Sequence, residues 1–505
     1  MSDSLVLVLD AGGSSLRATL VDRQGLCVAR AAVATPHIED VPLIGRRWDP
    51  AVLWDAACRA VREVLPAAAG GAEDVSAVAT TGQRLACAFL DAAGETLYVG
   101  PNVDARGVMN AWVVDEAAGA ALYDRTGRGL ALLFAPARLL WFRDEQPELF
   151  ARVKAIVGLG DWLGQRLSGE AAVAVTSAVE LLAHDVYQDR PLDEMWQRLG
   201  ADPRLLPPVR PAGSVLGTVH VAAAASTGLR PGTPVAVTVP DSMAALLGSG
   251  AWRVGSTLIL AGSTMPVLAS ADRPRADPTR RTWTGRHPIA GLGVNESNAG
   301  TTGFGWAWTV ERLVGDAAGL CGDAAYARAE ELAGRAPPGS RGVVSFAGGA
   351  SVMHATQPSS FLPRVHAILW PSPVISSEVG AAEVLRSTLE AIAYSARVNL
   401  EQAEAARGGE PGPVVLTGGM ARGALFRRIL ADVLGRELTV VTSDATAVGA
   451  AMCGAVAAGD HGSLEAAAGA MEAAGETLRP DATDAAAYAA GYHDWRMHYD
   501  KLHSL

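Results

Sequence analysis

The sequence predicts a mixed α/β protein whose two domains share one plan and face each other across a cleft. Three observations carry this. Residues 5–33 read as a β-meander with a glycine-rich hairpin at its tip. The same strand–small turn–strand design restarts at 257–269, near the middle of the chain. Residues 413–457 then read strand, double glycine, helix, strand, helix, the alternation of a mixed α/β domain.

Taken in order, Leu5–Leu9 is a short apolar strand, Gly12-Gly13-Ser14-Ser15 its turn and Ala18–Val21 the returning strand. Asp22-Arg23-Gln24-Gly25 turns the chain into a third strand, Leu26–Val33. Asp49–Leu65 is a helix, with Ala51, Leu53, Trp54, Ala57, Val61 and Val64 near one face. Val75–Ala79 is a strand, and Ala86–Leu90 and Thr96–Val99 flank a hairpin turn at 91–94. Helices follow at Asn110–Tyr123, Ala135–Glu145 and Asp161–Leu167. In the second half, Pro234–Val239 and Asp241–Gly248 are strand and helix, and Thr257–Leu260 and Met265–Ala269 form the second hairpin. The Pro/Arg-rich stretch Asp272–Pro288 is expected to be a surface loop. Strand Pro413–Thr417, helix Gly423–Leu434, strand Glu437–Val441 and helix Ala445–Ala457 close the pattern. No linker stands out, and the expected halves are 1–245 and 246–505.

Composition narrows the function. A chain of 505 residues with 49% hydrophobic and 19% charged residues has ample core and is not disordered. The formal charge of −11 argues against a general binder of nucleic acid or anionic membrane. The five cysteines, at 27, 58, 87, 321 and 453, contain no CxxC pair and fit reduced thiols. The opening residues have no basic region before their short apolar run, and Ala445–Gly459 is too short to span a membrane. A soluble cytoplasmic protein is expected. The ten histidines show no HxxxH or HxH spacing, so no histidine metal cluster is expected. Glycine is in excess, 55 of 505, and glycine lets backbone approach a ligand.

Three motifs carry chemistry. In Asp10-Ala-Gly-Gly-Ser-Ser-Leu-Arg17 a strand ends in an acid and then a hairpin that offers backbone N–H groups to an anion. Asp10 would hold Mg2+ there, through water. An ordinary hairpin capped by an aspartate is the plain alternative. In the second, Asp241 follows a buried strand and opens a helix. It is an N-cap in the plain reading and a cleft-facing general base in the functional one. In the third, Thr417-Gly418-Gly419-Met420 joins a strand to a helix N-terminus, a surface that admits a flat ring or a phosphate.

Together the motifs resemble the FGGY carbohydrate kinases, of the actin-like ATPase superfamily, over nearly the whole chain. DAGGSSLR resembles the first phosphate motif and Gly262-Ser263-Thr264 the second. Asn102-Val-Asp-Ala-Arg106 resembles the sugar-binding stretch, Asp161-Trp162 and the following residues a family helix, and Asp241 with Gly248 and Gly250 the catalytic segment. TGGMARGALFRRILADVLG followed by AVGAAMCGAV is the most specific match, to the adenosine-binding segment, and Tyr492, Trp495, Tyr499 and Leu502 fit the C-terminal spacing. Within the family the look is nearest to the autoinducer-2 kinases, with xylulose and glycerol kinases next.

The resemblance implies two actin-like (ribonuclease H-like) domains in a clamshell, the first for sugar and catalysis and the second for nucleotide. It implies ATP-dependent phosphorylation of a hydroxyl on a small sugar, polyol or autoinducer-2-like substrate. Asp241 would be the base, and Asp10 and Asp241 would hold Mg2+. Gly12, Gly13, Ser14, Gly262, Ser263 and Thr264 would grip the phosphates of ATP, and Gly418, Gly419 and Met420 would line the adenosine site. Gln83, Arg84, Asn102, Asp104, Arg106 and Asp241 would face the sugar. Asp104 and Arg106 as a plain surface ion pair is the alternative there. Family members are often dimers, so a homodimer is the partner to look for. Two departures stand out: Val239-Pro240 replaces glycines common before the catalytic acid, and Gly13 replaces a threonine. They leave room for a catalytically weak sugar-binding sensor on the same fold. A chaperone-type ATPase is disfavoured, because no peptide-binding module is left over.

Overall fold

The computed structural model describes residues 4–118, 121–316, 319–357, 367–370 and 378–503. Two large mixed sheets organise them. The first contains β1 (Leu5–Ala11), β2 (Ser15–Val21), β3 (Cys27–Ala34), β4 (Val75–Gly82), β5 (Val215–Thr218) and β6 (Pro234–Ala236), in the order β5-β6-β4-β1-β2-β3. The second contains β7 (Thr257–Leu260), β8 (Pro266–Ala271), β9 (Trp283–Arg286), β10 (Gly293–Asn298), β11 (Val414–Thr417), β12 (Leu438–Val440) and β13 (Glu476–Leu478), in the order β9-β10-β8-β7-β11-β12-β13.

The two sheets repeat one design. β1 pairs antiparallel with β2 and parallel with β4; β7 pairs antiparallel with β8 and parallel with β11. In each, the hairpin tip and the end of the next parallel strand come out on the same edge. β1 is buried along its whole length, LVLVLDA, which is why it reads as an unbroken apolar run and not as an alternation.

Helices α1 (Pro50–Val64), α2 (Leu159–Ser168), α3 (Asp241–Gly248), α4 (Ala381–Arg407), α5 (Ala424–Leu434), α6 (Ala445–Ala457) and α7 (Ala482–His503) cover the sheets. α1 starts where Asp49 accepts the Ala51 and Val52 amides and Pro50 presets the first turn. Glycine at 169, with φ of 78°, ends α2. α6, rich in alanine and glycine, is buried on nearly every side. It crosses α3 so closely that a Cβ at Gly449 would overlap the Ala244 carbonyl, and one at Gly248 the Ala445 carbonyl. A Cβ at Gly454 would collide with Val6 of β1. A helix from the second half therefore completes the core of the first sheet, in one apolar cluster that includes Leu7, Val78, Leu246, Val448 and Met452. The expected cut at 245/246 falls inside α3.

The second half has its own core around α4 and α5, where Trp495 and Tyr499 of α7 are buried. A third cluster is built on a small sheet of Cys87–Leu90, Thr96–Gly100 and Ala155–Gly158 and takes in Trp283, Met353 and Ala355 from the second half. One expectation needs correction. Asp272–Pro288 is not a surface loop throughout, because Trp283–Arg286 is the fully buried strand β9. Its side chains are covered by the first half, which no local pattern announces. The expected helix Asn110–Tyr123 is helical over Ala111–Ala118 and from Ala121 to Thr126, and residues 119 and 120 lie outside the described residues. Among the described residues no helix is long and apolar enough to cross a membrane.

Candidate active site

The two hairpin tips lie at equivalent places in the two sheets. At the first, the Gly12 amide donates to the Ser15 carbonyl at 3.0 Å, and Ser14 is exposed at the tip. A Cβ on Gly13 would stand 2.9 Å from Gln83 Nε2, so glycine there makes room for Gln83. Gln83 in turn accepts the Asn102 amide at 3.0 Å, which joins Gly13, Gln83 and Asn102 in one corner. At the second tip, the Gly262 amide donates to Thr264 O at 3.1 Å, and Ser263 and Thr264 are exposed. Gly418 lies against this tip. Its φ is 103°, a conformation that favours glycine, and a Cβ would stand 2.6 Å from the Ala261 oxygen. Gly419 is exposed with open space where a Cβ would be, and the Met420 amide donates to Ala261 O at 3.0 Å. The turn at 262–264 and the segment at 418–420 are thus one surface.

Asp10 closes β1 and Asp241 opens α3. Asp10 is buried and bonds Arg17 at 2.5 Å. Burial pushes its carboxyl up, with Arg17 opposing. Its other oxygen, Oδ1, is buried and has no hydrogen-bond partner among the described residues. Asp241 is partly exposed and accepts the Ser242 amide at 2.7 Å. Desolvation, aided by the nearby Asp10 charge and opposed by Arg84, raises its carboxyl to about 6. Just before it, Val239 is buried, and its carbonyl accepts the Thr81 hydroxyl at 2.7 Å. Val239-Pro240 therefore forms part of a fixed floor.

Arg84 does not stand free. Both of its terminal nitrogens bond Glu296 of β10, in the other half, and its guanidinium lies 5.7 Å from the Trp283 ring centroid. Asp104 and Arg106 are buried together. Asp104 accepts from the Tyr98 hydroxyl, from Arg106 Nε at 2.7 Å and from the Arg46 amide at 3.0 Å. Arg106 also reaches Asp40 at 2.8 Å and packs over Tyr98, Trp141 and Phe142. The structure brings Asp10, Gly13, Gln83, Arg84, Asn102 and Asp241 to the cleft; it holds Asp104 and Arg106 beneath, on protein partners.

Trp162 is core, with Nε1 on Thr96 Oγ1 at 2.9 Å. Asp161, in the first turn of α2, lines a small hollow with Gln83, Arg84, Ser177 and Glu180. Burial lifts its carboxyl to about 7. A folded-state value above the unfolded one, about 3.9, means that the native state binds this proton more tightly. Its contribution to stability is then lost as pH rises from about 4 through 7. Asp161→Asn should raise Tm at pH 8, with about 2–4 kcal/mol gained, and change it little at pH 4. An equal Tm change at both pH values would remove Asp161 as a titrating group.

Sequence reasoning missed Arg17, Glu296 and Trp283 as parts of the site. Arg17 was legible: a hairpin that turns on Gly12-Gly13 sets it opposite Asp10 in register. Glu296 had no local signal.

Comparison with known proteins agrees with this geometry. Residues 5–248 match the N-terminal domain, and 301–458 the C-terminal domain, of the FGGY family of carbohydrate kinases. An autoinducer-2 kinase of Klebsiella pneumoniae is 31% identical over 469 residues, 90% of this chain and 86% of that protein. One of Salmonella typhimurium is 30% identical over an alignment of 526 positions, covering 100% of this chain and 96% of its own. The crystal structure of xylulose kinase from Rhodospirillum rubrum superposes with a TM-score of 0.82 at 27% identity, over 99% of both chains. With two matched domains and relatives of this reach, the two-lobed clamshell is an actin-like fold, and the chain belongs to the FGGY family of carbohydrate kinases.

Proposed function

We propose that the protein transfers the γ-phosphoryl group of ATP to a hydroxyl of a small sugar, polyol or autoinducer-2-like substrate, with Asp241 as general base. The observation that carries this reading is the carboxyl of Asp241 at the head of α3, beside Asp10 at the end of β1 and Arg84, where burial raises it to about 6. At pH 7 about nine in ten such carboxyls are ionised and ready to accept a proton. Because phosphoryl transfer has a loose transition state, most of the rate comes from positioning and charge stabilisation. Gly12, Gly13, Ser14, Gly262, Ser263 and Thr264 would supply backbone and hydroxyl donors to the phosphates. Gly418, Gly419 and Met420 would receive the adenosine.

The residues present fit Mg2+. Asp10 offers a buried oxygen without a hydrogen-bond partner among the described residues, with Asp241 beside it, and magnesium bound there through water would neutralise phosphate charge. Gln83, Arg84 and Asn102 line the acceptor side, and Asp104 and Arg106 hold that loop from below. Five free thiols support a cytoplasmic setting; a homodimer belongs to the same reading. Autoinducer-2 is the first candidate substrate and xylulose the second; relatives named autoinducer-2 kinases and the xylulose kinase structure support that order.

A screen of ADP release across ketoses, pentitols, glycerol and the autoinducer-2 precursor tests this. ADP should form only when an acceptor is present. Tight binding of one sugar with no ADP formed from any would instead support the sensor.

A further inference from the structure

Away from the α3–α6 crossing, the two halves meet a second time. Trp283 of β9 and Glu296 of β10 are cross-strand partners, so they stand side by side at one edge of the second sheet. Three elements of the first half close on this edge. Arg84 takes both Glu296 oxygens. Arg128, buried, lies 5.0 Å from the Trp283 ring centroid, bonds the Thr284 carbonyl at 2.7 Å and pairs with Glu180 at 2.8 Å. The Tyr123 hydroxyl donates to Thr282 O at 2.6 Å, and the Thr284 amide donates to Gly127 O at 2.9 Å. Phe134 meets Trp283 edge-on at 5.8 Å.

Glu296 is about 1% exposed and Arg84 sits beside the catalytic acid. A bidentate carboxylate–guanidinium bond fixes the plane of the guanidinium as well as its position, and the indole beside it restricts the remaining freedom. When the halves separate, both members lose this partner at once.

We propose that Glu296 is a positioning residue for phosphoryl transfer: acting from the second half, it holds the Arg84 guanidinium in the orientation that meets the acceptor sugar, and so makes acceptor recognition depend on the approach of the two halves. The proposal rests on the reading of Arg84 as an acceptor-facing group. It predicts that the contact acts on the acceptor and not on the nucleotide.

The test measures KM for acceptor and for ATP, kcat and Tm for Glu296→Gln, Glu296→Asp, Arg84→Met and the double variant Arg84→Met/Glu296→Gln. The acceptor is autoinducer-2 or xylulose, whichever the enzyme turns over faster. Glu296→Gln, isosteric, should raise the acceptor KM by about 10-fold, the scale of a lost charge-assisted bond, and leave the ATP KM unchanged. Glu296→Asp should recover part of that loss. The double variant should match Arg84→Met alone, because Glu296 acts only through Arg84; it also leaves no unpaired buried charge, so it keeps the test open if a single variant fails to fold. If Arg84→Met leaves the acceptor KM unchanged, the reading of Arg84 fails. If Arg84→Met raises it and Glu296→Gln does not, Glu296 alone is overturned. Additive losses in the double variant, or acceptor and ATP KM rising together with a fall in Tm, would show a merely structural contact and overturn the proposal too.

Discussion

Asp241→Asn should lower kcat by about 10²–10⁴-fold while ATP still binds. Asparagine keeps the shape and can still accept the Ser242 amide, so the head of α3 stays in place. What is lost is a group that accepts a proton. The wild-type kcat/KM should also fall on acidification with an apparent pKa near 6, because burial raises the carboxyl of Asp241, the proposed base, to about 6 in the free enzyme. Steady-state rates between pH 5 and 8, with nucleotide affinity measured by titration, check both parts. Full activity of the asparagine variant would exclude Asp241 as the base. A flat profile through pH 6 would mean that proton removal from the acceptor hydroxyl does not depend on it.

The second large effect lies where α6 crosses α3. Gly449→Ala adds one methyl that would overlap the Ala244 carbonyl oxygen. No flexible side chain can yield there, so the helix axes must separate. Overpacking of this kind costs about 1–3 kcal/mol, and Tm should fall accordingly. Alanine is otherwise the better helix former than glycine, so the same change at an exposed helix position would act in the opposite sense. Because the crossing joins the two halves, the variant should also change the small-angle scattering profile and alter closure on sugar plus nucleotide. An unchanged Tm would mean that the helices can separate at little cost.

Much of this was legible in the chain itself. The hairpins at 12–15 and 262–264 announce themselves because only small residues turn that tightly. The helix Ala445–Ala457 is read from its unbroken run of small residues. Asp10 and Asp241 stand out as acids at a strand end and at a helix start, and, since each also has a plain capping reading, the resemblance to the FGGY carbohydrate kinases is what singles them out. Other features were hidden for a physical reason. β9 is a strand because the first half covers it, and its own residues, WTGR, carry no period. The Arg84–Glu296 bond joins positions 212 apart, and no spacing rule reaches that far. Asp104 and Arg106 read as polar and therefore accessible, yet both are buried, with three aromatic rings against Arg106 and Asp40 pairing with it. Burial of charge is decided by what packs on top, and that information lies elsewhere in the chain.

The placement of α6 also constrains how the protein is born. The first sheet is complete once residue 236 has been made, but the helix that caps its inner face is not synthesised until residue 457. Until then Val6, Val78 and Leu246 lack their partners Val448 and Met452. On the ribosome the first half must therefore wait, its apolar face uncovered, for a segment encoded near the far end of the message. Folding in the order of synthesis, domain after domain, is not open to this chain. A nascent chain stalled before residue 445 would be a client for chaperones, not a finished first domain.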